Sequence, residues 1–193
     1  FPEYVAWKLC VPMGSEPTVQ RVSLDVDTAT THTGVVTPMR RNVIVVPVAD
    51  SPIHLRDCLD SLLELCHAYG YGGKRDGRWH MVSVLLADDS GEAANVARHR
   101  AIAREFDRQG IATQYFGQEE QLALLDRLTG LDLAPIVGRS PRHAFHHKGQ
   151  AMTRNIAFLK CAEMAAAQPD ARLLFHTVDA DQEFRVKVAA AGG

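Results

Sequence analysis

The run NVIVVPV, Asn42 to Val48, constrains this chain more than any other stretch. Its residues are apolar and mostly β-branched, without the apolar–polar alternation of a half-exposed strand. It suits a strand covered on both faces, as in a parallel sheet flanked by helices. Pro47 has no N–H to offer a neighbouring strand and so marks the strand's end. A helix signal follows at once: Ser51 as cap, Pro52 at the first helical position, and Leu55, Leu59, Leu62 and Cys66 at helical spacing. A buried strand feeding directly into a helix is the first half of a strand–helix–strand unit.

The alternation continues along the chain. After the Gly-rich loop YGYGGKRDG, the segment HMVSVLLADDSGE reads as a second buried strand ending in carboxylates. A helix is expected from about Glu92 to Gln109, then IATQYF as a shorter alternating strand, then a helix over residues 118–128. TGLDLAPIVGRSPRHAFHHKG is a long connection, and Gly149 precedes QAMTRNIAFLKCAEMAAA, an Ala- and Leu-rich helix of good propensity. The last strand is ARLLFHTV. Four β-rich runs alternating with helices predict a doubly wound, mostly parallel α/β sheet with helices on both faces, over residues 41–193. Residues 1–40 read as an N-terminal extension, with VQRVSLDVD as a candidate edge strand and TATTHTG as a connector.

With 193 residues, 46% of them hydrophobic, the chain can fill a core of its own. A formal charge of −2 and a pI near 6.5 leave no cationic excess for nucleic acid or an anionic membrane, so neither is expected as a partner. Cys10, Cys58, Cys66 and Cys161 lack metal-binding spacing and read as buried thiols in a reducing compartment. No run approaches the roughly 20 apolar residues needed to span a bilayer, and FPEYVAWKLC lacks a signal-peptide pattern; no transmembrane segment is expected, and a cytoplasmic location is. The start at Phe1 and the finish at AAAGG suggest a fragment or a separated domain.

Ligands of open parallel sheets bind outside the carboxyl ends of the strands. Three strands here end in polar residues on that edge: Pro47 to Asp50, Asp88–Asp89, and Asp179 to Asp181. Asp179 and Asp181 are two apart, so on an extended segment both point to one side. Two hard oxygen donors suit Mg²⁺ or Mn²⁺ better than zinc, and such metals fill their remaining positions with water and substrate phosphates, which makes a metal-bound diphosphate the natural ligand. The same pair equally serves to cap a strand that meets water. Asp88 and Asp89 lie on opposite sides of the backbone, one free for a pocket while the other holds the turn; acidic residues are also favoured here simply by the dipole of the following helix. The cluster RHAFHHK, with His143, His146 and His147, reads as an exposed loop rather than a ligand set, whereas Lys148 abuts the glycine that starts a helix, where phosphate is attracted. A phosphate-binding P-loop, a dinucleotide fingerprint and an esterase nucleophile elbow are all missing.

VIVVPVADSPIHLRDCLDSLLE, VLLADDSGE, HKGQAMTRNIAFLKCAE and LLFHTVDADQEF occur in the order and at the spacing of four landmarks of the nucleotide-binding half of GT-A glycosyltransferases. Over residues 42–184 the chain resembles this group, above all its family-2-like members. The resemblance implies a Rossmann-like nucleotide-binding domain and a UDP- or GDP-linked sugar as donor. It implies that Pro47, Val48, Ala49 and Asp50 line the base pocket, that Asp89 hydrogen-bonds the base, and that Lys148 and Arg154 lie near the phosphates. In the D-x-D motif Asp181 matches the direct metal ligand, with Mn²⁺ or Mg²⁺ as cofactor, and Asp179 the residue that contacts ribose or metal. Ala49 stands where members often carry an aromatic residue, and the loop at 70–80 is longer and richer in glycine than usual. The acceptor-binding half lies after the D-x-D in the family, and no catalytic base is assigned. A catalytically silent nucleotide-binding or assembly module and a nucleotidyltransferase are the competing readings, the latter disfavoured because PVADSPIHLRD is neither Gly-rich nor strongly basic.

Overall fold

The computed structural model describes residues 40–128, 130–138 and 141–185, all within the unit that spans residues 37–193. The expected N-terminal extension, with its candidate edge strand, connector and Cys10, lies outside the described residues apart from Arg40. Strand β1 (Arg40–Val48) leads into helix α1 (Pro52–Tyr69). The Gly-rich segment, where the sequence predicts only a loop, is a small antiparallel hairpin of β2 (Lys74–Arg75) and β3 (Arg78–Trp79). Then come β4 (Val82–Asp88), α2 (Ala93–Arg108), β5 (Ala112–Phe116) and α3 (Gln118–Arg127). The long connection contains a short α4 (Ala134–Val137) and a 3₁₀ turn at Arg142–Ala144, before α5 (Gln150–Ala166) and β6 (Arg172–Thr177).

The four long strands form one sheet in the order β5-β4-β1-β6, every pair parallel. The fold is therefore α/β and Rossmann-like. In chain order the strands run third, second, first, fourth, so the direction of winding reverses between β1 and β6. In sheets of this kind that reversal opens a crevice at the carboxyl ends.

The continuous apolar character of β1 follows from its central position. Ile44, Val46 and Val48 pack on one face with Leu55, Leu59 and Leu62 of α1 and Ile102, Ala103 and Phe106 of α2. Val43 and Val45 pack on the other with Leu124 of α3, Val137 of α4 and Ile156, Ala157 and Cys161 of α5. β4 is buried similarly and holds the same level as β1, with Val46 opposite Leu86 and Val48 opposite Asp88. β6 differs from its reading as a buried strand: among the described residues it is an edge strand with one neighbour, and Leu173, Leu174 and Phe175 remain half-buried.

Helix α1 begins with Pro52 as expected, but Ser51 does not cap it; its hydroxyl pairs with His54 Nδ1 at 2.8 Å. Among the described residues no helix is long and apolar enough to cross a membrane. Leu86, fully buried at the centre of β4, sets the scale of the packing. Leu86→Ala is expected to lower unfolding free energy by about 2–5 kcal/mol in urea titration, because a central strand flanked on both sides cannot collapse into the space left behind.

Candidate functional site

The site is built at the carboxyl edge, starting from the two aspartates that end β4. Asp88 turns inward and holds the structure together. It accepts hydrogen bonds from Ser90 N–H (2.9 Å) and from the Tyr115 hydroxyl (2.7 Å), and pairs with His99 Nδ1 at 3.0 Å. Ser90 Oγ–H also donates to it, tying the β4 turn, α2 and β5 to one carboxylate. Burial alone would raise the Asp88 pKa, but hydrogen bonds from His99, Ser90 and Tyr115 outweigh it and hold the group below its ordinary value.

Asp89 turns the other way. Its carboxylate pairs with Lys148, whose side chain is fully buried, and also accepts from Gly149 N–H at 3.2 Å. The Lys148 ammonium lies 4.6 Å from the Phe145 ring centre and donates to the Phe145 carbonyl at 3.3 Å. The backbone completes the clasp, with His147 N–H donating to the Asp89 carbonyl at 3.0 Å. The division of labour read from the sequence, one aspartate for the turn and one for the pocket, is the one found. Lys148, which the resemblance places near phosphates, pairs with Asp89 and fixes the approach to α5.

Asp50 acts as a cap from outside the helix it serves. No side-chain cap comes from Glu92, the residue before α2. Asp50 takes its place, accepting from Gly91 N–H and Glu92 N–H at 3.2 Å each and from Asn95 Nδ2 at 3.1 Å. Desolvation raises its pKa, while the bonds from Asn95 and the two backbone N–H groups prevail and lower it overall. Opposite stands His147, with Nε2 2.8 Å from the carboxylate. Asp50 and His147 are two of the three non-glycine residues with left-handed backbone among the described residues, at φ 48° and 50°. Such strain persists only where surroundings impose it, and it concentrates at functional sites. Gly91 makes the approach possible, since a Cβ there would lie 2.8 Å from both His146 and His147 ring atoms.

A pocket of about 290 Å³ opens beside these groups, lined by Pro47, Val48 and Ala49 of the β1 end, Asp89, and His147, Gly149, Gln150 and Thr153 around the start of α5. The four sequence-derived residues Pro47, Val48, Ala49 and Asp89 are thus brought together; Asp50 is directed away, toward α2. The sequence pattern places His147 in an exposed loop and gives Gln150 and Thr153 no distinguishing mark. The available signal was Gly149, whose φ of 90° turns the chain into α5. A larger hollow of about 460 Å³ lies between α2 and β5, lined by Arg100, Arg104, Tyr115 and Glu120 among others.

The D-x-D segment requires a correction. β6 ends at Thr177, and Asp179 to Gln182 form a turn closed by Gln182 N–H donating to the Asp179 carbonyl at 3.0 Å. The two aspartates are therefore not neighbours on an extended strand. Asp179 accepts from Gln150 Nε2 at 3.0 Å and pairs with Arg154, both on α5. Asp181 is exposed and lies near enough to α1 to add to the rise of the Cys58 thiol, which burial chiefly pushes up to about 11. Among the described residues no hydrogen bond or ion pair engages the Asp181 carboxylate, and no group of three or more His, Cys, Asp or Glu side chains gathers there or elsewhere. A hard cation bound at the exposed Asp181 carboxylate would have to draw the rest of its shell from water or phosphate oxygens. No family model, curated protein or solved structure matches the chain.

Two outcomes follow from this electrostatic arrangement. Lys148→Ala leaves the Asp89 carboxylate buried without its cation and is expected to cost about 3–5 kcal/mol of stability in denaturant titration. Asp88, with its lowered folded value, contributes stability that is complete above the ordinary carboxylate range and is lost as pH falls through the folded value. Asp88→Asn should accordingly flatten the acid limb of stability against pH below about pH 4, relative to the unchanged chain.

Proposed function

We propose that this chain holds a nucleoside-diphosphate sugar at the carboxyl edge of its sheet and passes the sugar to a hydroxyl acceptor, as a metal-dependent glycosyltransferase of the GT-A kind. The observation that carries this reading is the position of the pocket. It lies at the end of β1, beside the reversal of strand order, with the start of α5 forming its wall. That is where open parallel sheets bind nucleotides, and a helix N-terminus there favours phosphate.

The side chains around the pocket support the reading by what they are free to do. Arg154 and Asp179 are both part-exposed, and a pair of that kind is worth about 0–1 kcal/mol, so a diphosphate can take the guanidinium from the carboxylate. The released Asp179 is then available to a ribose hydroxyl or to the cation. Gln150 spans the same two elements and can follow either partner. Lys148 stays with Asp89 and keeps the helix start in place. A Mn²⁺ or Mg²⁺ ion held by Asp181 would, when bound, supply neutralisation of the charge that develops on the departing diphosphate. Buried, unbridged Cys58, Cys66 and Cys161 agree with a cytoplasmic setting.

A second reading, a nucleotide-binding module without transfer, is favoured by one observation: both Lys148 and Arg154 are already paired with carboxylates at the crevice. Measuring donor hydrolysis and transfer separates the two. For the first reading, UDP or GDP with Mn²⁺ should raise the melting temperature by several degrees, and Asp181→Ala should abolish the metal-dependent part of that shift. No shift with any nucleoside diphosphate would sink both.

A further inference from the structure

Eight residues line the pocket at the β1 end, and their polar groups are unequal. Asp89 has one oxygen on Lys148 and the other on Gly149 N–H, and His147 is held by Asp50. Gln150 reaches outward to Asp179. Thr153 is different: it is 2% exposed, and its hydroxyl is buried without a hydrogen-bond partner. Leaving a buried hydroxyl unpaired costs about 1–3 kcal/mol, so a hydroxyl in this state on a pocket wall has a bond to gain from a ligand that enters the pocket.

Where Thr153 sits on α5 narrows what that something is. The unpaired N–H groups of a helix start, which attract phosphate, belong to its first turn. Thr153 stands four residues beyond Gly149, about 6 Å further along the axis at 1.5 Å per residue. Pro47 and Val48 line the same pocket and are apolar, and the Asp89 carboxylate on it is already paired with Lys148. An apolar lining whose charges are already paired suits a flat, neutral ring with polar edges better than a phosphate.

We propose that Thr153 is a ligand-contacting residue that hydrogen-bonds the nucleoside part of the bound nucleotide, while the diphosphate lies outside it toward Arg154. The assignment rests on the nucleotide-binding reading above. Thr153 thereby takes over part of the base-contacting role that the sequence resemblance gives to Asp89, whose oxygens are already engaged.

The test is isothermal titration of UDP, GDP and inorganic diphosphate, each with Mn²⁺, into the unchanged chain, Thr153→Val and Thr153→Ser. Valine keeps the shape and removes the hydroxyl, and loss of one neutral hydrogen bond corresponds to a weakening of about 3–10-fold. Thr153→Val is expected to weaken the preferred nucleoside diphosphate by that factor, to leave inorganic diphosphate unaffected, and to keep or raise the melting temperature of the free protein. Thr153→Ser should bind within about twofold of the unchanged chain, since it retains the donor and acceptor. Should valine fold poorly, Thr153→Ala is titrated in its place with the same expectations for binding. Unaltered nucleotide affinity without the hydroxyl overturns the assignment and leaves the proposed function standing, as does an equal loss for nucleotide and inorganic diphosphate. If the unchanged chain binds inorganic diphosphate but neither nucleotide, both the assignment and the reading beneath it fail.

Discussion

Two consecutive carboxylates are buried at the end of a central strand, and each must be met by donors, because an unmet charge in that position costs more than a small domain can spare. Asp88 gathers Ser90, His99 and Tyr115, and through them α2 and β5. Asp89 gathers Lys148 and Gly149 N–H, and through them the whole approach to α5. Since successive strand residues point to opposite faces, one dipeptide organises both sides of the sheet edge. The pocket is the space left between what Asp89 fixes and the end of β1.

The same principle sets how firmly each part of the site is held. Lys148 and Asp89 are enclosed, so their pairing is rigid and removing either partner is costly. Arg154 and Asp179 face water, so their pairing is weak and exchangeable. In the third contact Asp50 is partly enclosed and His147 is open to water, with left-handed backbone on both sides and Gly91 yielding the room. A fixed inner clasp and an exchangeable outer pair are what a site needs if it is to keep its shape while a charged ligand enters.

Some of this was legible in the chain itself. The mainly apolar runs in Asn42–Val48 and Val82–Ala87 mark doubly covered strands because burial on both faces removes any need for alternation. The split between Asp88 and Asp89 followed from the two-residue period of a strand. Other features escaped for equally physical reasons. The hairpin at Lys74–Trp79 consists of two-residue strands, too short to show a period. His147 belonged to a histidine-rich loop with no periodicity, and only its left-handed backbone and the proximity of Asp50 distinguish it. The turn at Asp179–Gln182 was hidden because the two-residue spacing of D-x-D carries meaning only if the strand continues, and it stops at Thr177.

By itself the sequence determined the long strands and helices, that they alternate, and that carboxylates follow three of the strands, because hydrophobic period and helix-start chemistry are local properties. Strand order, and with it the reversal of winding between β1 and β6, was decided only by tertiary structure, as was the partner of each charge. Lys148 lies 59 residues from Asp89, and Arg154 lies 25 from Asp179, so which cation neutralises which carboxylate depends on how the layers pack. The unpaired hydroxyl of Thr153 belongs to the same class: a threonine on a helix is unremarkable until packing buries it against a pocket and supplies nothing for it to bond.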